Sequence, residues 1–239
     1  MKQYIWYHPF YVAETSSLMV NGQMENARKH GYIVLETNQL GKVKSNDHLT
    51  IVGHSTPPKA LANKNSKKSS ALEDAGYFIQ GETAEECINR LFQNGLKKAP
   101  RVLSLECCKA AIIPNGIAEQ LSKHPFLVNV IIEANTSAVG RNTGNILWTY
   151  TPDSFGRVVM KEANNPWVFL LAGKQVFQAL HGTYKLNEVI EEISKPKEDI
   201  AYSRILSPRL GIFKLANQAN EKVSDVPKMR PVQPFDNRG

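Results

Sequence analysis

Short apolar runs alternate with stretches of helical periodicity along most of this chain. Residues 4–12 and 32–36 read as strands, and 18–29 between them as a helix from the spacing of Leu18, Met24 and Ala27. Asp47 precedes the compact run Leu49-Thr50-Ile51-Val52, which ends in Gly53-His54-Ser55. That is the pattern of a buried strand entering a loop. Residues 57–70 are rich in Pro, Lys, Asn and Ser, a mix that builds no core, and predict an irregular loop. A short strand at 77–79 follows. Thr83 then caps a helix, with Glu86 three residues on completing a capping box, and the helix runs to Phe92 or Gln93. Gly95, Lys97 and Lys98 suit its C-terminal end, and Pro100 closes the connection.

The next strand, 102–105, delivers Glu106, Cys107 and Cys108 at its C-terminal end. Residues 117–122 read as a helix opened by Asn115 and Gly116. The apolar run 128–134 leads into the polar segment 135–145. Residues 148–150 and 157–160 predict a hairpin around Pro152, Asp153 and Gly156. A strand at 168–171 and a helix at 186–193 complete the pattern. The alternation predicts an α/β fold, with a mainly parallel sheet covered by helices on both faces. One domain spans 1–194, and the Pro-punctuated, modestly basic stretch 195–239 is an irregular extension.

Composition narrows the class. Of 239 residues, 42% are hydrophobic and 21% charged, the balance of a globular protein with one sizeable core. The only cysteines, Cys87, Cys107 and Cys108, are odd in number and two are adjacent, which argues against a disulfide framework and for a reducing compartment. The N-terminus lacks the apolar core and cleavage site of a Sec signal, and no run approaches the length of a membrane span. The expected location is the cytoplasm. The net charge of +7 gathers partly in Lys59, Lys64, Lys67 and Lys68. Without the pattern of a nucleic-acid module they read as a solvated loop. The scattered histidines show no zinc-finger spacing, and no phosphate-cradling glycine motif is present. Neither metal nor cofactor is expected. Asn135-Thr136-Ser137 matches a glycosylation acceptor, an accidental match in a chain without a signal.

Two strand ends carry the chemistry, because functional groups in parallel α/β sheets collect at the C-terminal ends of strands. One is Leu49-Thr50-Ile51-Val52-Gly53-His54-Ser55, and the other is Val102-Leu103-Ser104-Leu105-Glu106-Cys107-Cys108. An ordinary thiol is mostly protonated at neutral pH, and an imidazole beside it can take that proton and later return it to a leaving group. A strand–helix–strand crossover fits between His54 and Cys108 and would set the two ends side by side. Cys87, beside Ile88 in a helix, reads as core packing.

This pair of blocks resembles the clan CD, caspase-like cysteine peptidases. The second block is most similar to the CHAT domains and to the self-processing domains of bacterial toxins, and the likeness covers about 49–140. The family pattern is an apolar strand followed by His-Gly, and a second followed by Glu or Gln, a small residue and the nucleophilic Cys. The resemblance implies a three-layer caspase-like sandwich in which Cys108 is nucleophile and His54 its base, Cys107 takes the small-residue place and Glu106 precedes it. Gly53 and Ser55 flank the oxyanion site, where Ser55 departs from the family glycine and narrows the approach of substrate. It implies a cysteine endopeptidase acting on a protein or peptide through an acyl-enzyme, without cofactor. Acyl transfer or deamidation on the same fold, and a catalytically silent binding module, are the alternatives. The specificity loop would be 135–144, with Arg141 as a pocket residue or an exposed loop arginine. The toxin-type relatives imply a bacterial effector delivered into a host cytosol, switched on by a polyanion such as an inositol phosphate at the four loop lysines.

Overall fold

In the computed structural model, the described residues are 1–55, 76–112, 114–136, 139–141, 147–152, 158–162, 166–180 and 184–195. The first element is β1 (Gln3–Tyr7), and here the sequence reading needs correction. The aromatic run expected to be one strand over 4–12 breaks at His8. Pro9 sits at the first helical position, where its missing N–H costs nothing, and the His8 ring accepts a hydrogen bond from the Phe10 N–H, so α1 (Pro9–Glu14) begins. Helix α2 (Ser17–Lys29), capped by Ser16, leads to β2 (Ile33–Leu35), a 3₁₀ turn (Leu40–Lys42) and β3 (His48–Val52).

After residue 76, the expected strand over 77–79 reduces to one bridge between Ile79 and Glu82. Helix α3 (Ala84–Gln93) starts with the predicted box: the Thr83 hydroxyl accepts from the Glu86 N–H, and the Glu86 carboxylate accepts from the Thr83 N–H at 2.8 Å. Gly95 follows at φ 96°, a left-handed conformation that glycine adopts without strain. The chain continues through β4 (Val102–Glu106), α4 (Ile117–Lys123) and β5 (Ile131–Asn135).

Strands β6 (Val139–Arg141), β7 (Leu147–Pro152) and β8 (Val158–Glu162) form a separate antiparallel sheet. The expected hairpin is its β7–β8 pair, with Tyr150 opposite Met160. Strand β9 (Pro166–Leu171) turns through Ala172 and Gly173 into β10 (Lys174–Leu180), and α5 (Leu186–Ser194) ends the described chain.

The main sheet has seven strands in the order β10-β9-β5-β4-β3-β1-β2. The five from β2 to β5 are parallel, and β9 joins β5 antiparallel. Alternation along each strand assigns two faces. Trp6, Leu49, Ile51, Leu103, Leu105 and Ile132 pack with Cys87, Ile88 and Leu91 of α3 and with Ile117 and Leu121 of α4 in the largest core. On the other face, Ile5, Tyr7 and Val52 meet Val20 and Ala27 of α2, while Val102, Trp167 and Phe169 meet Val189 and Ile190 of α5. Helices thus lie on both faces of a mostly parallel sheet, as the alternation predicted, in layers compatible with a three-layer sandwich. Among the described residues, no helix is long and apolar enough to cross a membrane.

Candidate functional site

Strands β3 and β4 are parallel neighbours whose last paired residues are Val52 and Glu106. The ladder continues one step further, the Gly53 N–H donating to the Glu106 carbonyl at 3.4 Å. His54 and Cys108 each stand two residues beyond the last pair of their strand, at the C-terminal edge of the sheet.

The two adjacent cysteines differ sharply. Cys107 is 1% exposed and belongs to the core under α3. Burial pushes its thiol pKa well up; the neighbouring Cys108, Cys87 and Glu106 push the same way, and a hydrogen bond from the Gly53 N–H opposes them. A thiol so held is inert as a nucleophile. Cys108 is only partly buried. Cys87 is fully buried in α3, and burial raises its thiol to about 12, with Glu82 adding and Arg90 opposing. It packs in the core, as its setting in the sequence implied.

His54 is exposed, with its ring tilted against that of Tyr11 at 4.8 Å between centroids. Desolvation lowers its pKa below the ordinary 6.5, against the opposing charge of Glu14 on α1. The imidazole is therefore neutral at pH 7, the form that accepts a proton. The His54 carbonyl accepts from the Gln80 N–H at 2.7 Å, which ties this loop to the segment before α3. A Cβ on Gly53 would stand 3.1 Å from Ile79 Cγ2 and 3.5 Å from Gln80 Cγ, so glycine is what lets that segment close against the strand end.

Further residues, none evident from the pattern, hold the edge together. Asn135, fully buried at the end of β5, donates from Nδ2 to the Cys107 carbonyl at 2.9 Å and accepts the Ala111 N–H on its own carbonyl at 2.9 Å. It clamps the turn carrying Cys108 to the next strand. The sequence flagged Asn135 as the start of a polar segment, of the implied specificity loop and of an accidental glycosylation match, with nothing to suggest this clamp. On the other side, the His8 N–H extends β1 by donating to the Val52 carbonyl at 2.9 Å. Because His8 Nδ1 accepts from Phe10, Nε2 carries the proton and donates to Glu82 at 3.1 Å, and Arg90 forks onto the other Glu82 oxygen at 2.7 and 2.9 Å. Burial pushes the Glu82 carboxyl up, but these two partners outweigh it and hold it below the usual range.

Around the edge lie buried polar atoms with no hydrogen-bond partner: Ser55 Oγ, Asn135 Oδ1, and both amide atoms of Gln80, whose φ of 53° is itself unusual. Native proteins leave few such groups. Glu106 is directed elsewhere, lining a cavity on the α2/α5 face of the sheet. Among the described residues, no group of three or more His, Cys, Asp or Glu is placed to hold a metal ion. Lys59, Lys64, Lys67 and Lys68, half of the 135–144 loop (137, 138 and 142–144) and the extension beyond Lys195 lie outside the described residues. Arg141 closes β6 by its backbone. No family model and no curated protein matches this chain.

Proposed function

We propose that the chain is a cysteine-dependent hydrolase of the caspase-like kind, acting as an endopeptidase through Cys108 and His54. The observation that supports the reading is the β3–β4 pairing, since the two strands are parallel neighbours and each ends two residues before one of the candidate groups, the imidazole of His54 and the partly accessible thiol of Cys108. The burial of Cys107 supports the choice of Cys108 as nucleophile, and the neutral His54 supports its role as base.

In this mechanism His54 removes the Cys108 proton as the sulfur adds to a substrate carbonyl. The N–H groups of Ser55 and Cys108 stabilise the oxyanion; that of Gly53 is already engaged with Glu106 and Cys107. His54 then protonates the departing amine, leaving a thioester that water hydrolyses. Acyl transfer to an amine uses the same intermediate and is the second outcome of the test.

The test is incubation of the full chain with a denatured-protein digest, followed by mass spectrometry for new termini, with and without hydroxylamine. New termini that vanish in Cys108→Ala and in His54→Ala support the endopeptidase. Hydroxamate products without new free carboxyl termini indicate acyl transfer. Products that survive Cys108→Ala, or none with wild type, overturn the proposal.

A further inference from the structure

Three side chains that take no part in the proposed chemistry converge on the loop that carries His54. His8 follows β1, Glu82 closes the turn before α3, and Arg90 lies on α3. His8 is fully buried and Glu82 is 7% exposed. Glu82 accepts on both flanks: Oε2 takes the His8 Nε2–H at 3.1 Å, and Oε1 takes the Arg90 Nε and Nη2 protons. A carboxylate meets donors on both sides without presenting an N–H of its own. Charge-assisted hydrogen bonds of this kind hold their members in one geometry.

Two routes lead from this set to His54. Glu82 belongs to the turn Ile79-Gln80-Gly81-Glu82, closed by backbone hydrogen bonds of 3.0 and 2.9 Å between Ile79 and Glu82. Gln80 and Gly81 take φ of 53° and 77° at its centre, and the Gln80 N–H donates to the His54 carbonyl at 2.7 Å. By the second route, the His8 N–H holds the Val52 carbonyl, and His8 Nδ1 accepts from Phe10 to start α1. Helix α1 supplies Tyr11, whose ring lies 4.8 Å from that of His54, and Glu14, whose charge acts on it. Arg90 also stands over the Phe10 ring at 5.0 Å, which joins α3 to α1 at the same point.

We infer that the His8–Glu82–Arg90 set is a positioning unit for His54, fixing its main chain through Gln80 and Val52 and its ring through Tyr11. The inference rests on the reading of His54 as general base, because only then does the placement of the ring serve a reaction. The three residues act through others and transfer no proton.

Titration of His54 reads this placement whether or not Cys108 is a nucleophile. Burial lowers the ring's pKa below 6.5 while Glu14 opposes, so a ring released from α1 loses both influences and returns toward 6.5. The experiment is an imidazole NMR titration of the full chain, the His54 signal being the one lost in His54→Gln. His8→Asn is the decisive variant: asparagine is a good N-cap and can still accept from Phe10, but it is too short to reach Glu82. The expected result is a wild-type midpoint below 6.5 that rises by roughly half a unit or more in His8→Asn. The midpoint should not move in Val189→Ala, a core truncation under α5 that lowers stability away from the site. A wild-type midpoint at 6.5 or above, an unmoved midpoint in folded His8→Asn, or an equal shift in Val189→Ala overturns the inference. Should His8→Asn fail to fold, Glu82→Gln, which sets an amide NH₂ against one of the two donors, is read by the same criterion. A shifted His54 midpoint together with a Cys108 modification rate indifferent to His54→Gln upholds the positioning and overturns the hydrolase reading, which keeps the two failures apart.

Discussion

Acidification from pH 7 to pH 5 should destabilise this protein mainly through His48, above the range in which most carboxylates are protonated. Burial lowers the His48 pKa from 6.5 to about 4, with Glu106 opposing. Although Nε2 lies 3.9 Å from Glu133, the contact is no ion pair, because burial keeps the ring neutral and the Ser104 hydroxyl bonds to both groups. The sign follows from proton counting. Below pH 6.5 the unfolded chain protonates His48, while the folded ring stays neutral until about pH 4, so stability present above 6.5 is lost as pH falls across that window. Each pH unit within it is worth about 1.4 kcal/mol. From pH 7 to pH 5 the loss from His48 is about 2 kcal/mol, with His54, also lowered, acting in the same direction. Glu82 and Glu119, whose pKa values are held below 4.5, contribute their losses only at lower pH. Urea titrations at half-unit steps should show the midpoint falling by about 1 M over this range, for a slope of roughly 2 kcal/mol per M. In His48→Gln, which retains a donor for Ser104, most of that fall should disappear. A flat wild-type midpoint, or an undiminished fall in the variant, refutes the reasoning.

Other expectations concern the frame around the site. Ala172 and Gly173 take φ of 49° and 76° in the two-residue turn between β9 and β10, a conformation that suits asparagine better than alanine. Ala172→Asn should therefore raise stability by about 1 kcal/mol in chemical denaturation. Thr83→Ala removes the α3 cap and should cost about 1 kcal/mol by the same assay. Asn135→Ala leaves the buried Cys107 carbonyl without the Nδ2 donor and should cost about 1–3 kcal/mol. It should also slow modification of Cys108, a loss that a remote variant of equal stability would not show.

The elements that the sequence made legible are those whose pattern is local. The β-branched run ending at Val52, the run ending at Glu106 and the Thr83/Glu86 box each carry their own signal, and each forms as expected. Aromatic residues 4–12 misled because side-chain type outweighed His8-Pro9, the actual start of a helix. Strand β10 went unread, since Lys174, Gln175 and Gln178 interrupt any apolar run and its place is fixed by pairing with β9. His54 and Cys108 stood out because each follows an apolar strand. Asn135, Gln80 and the His8–Glu82–Arg90 set did not, because their roles depend on partners brought together only by the fold. The His8–Glu82 contact spans 74 residues. Likewise His48, Ser104 and Glu133 sit singly in three apolar strands and become a tier only once the register is known.

The most direct test of the proposed pairing of Cys108 with His54 is the site-resolved rate of modification by a thiol-directed acyl electrophile, followed by peptide mass spectrometry in wild type and in His54→Ala. The account predicts rapid modification at Cys108, little at the buried Cys107 and Cys87, and a fall of roughly a hundredfold or more at Cys108 when the imidazole is removed. Equal, slow reaction of all three cysteines, or a Cys108 rate indifferent to His54, would contradict it and leave the chain a binding module.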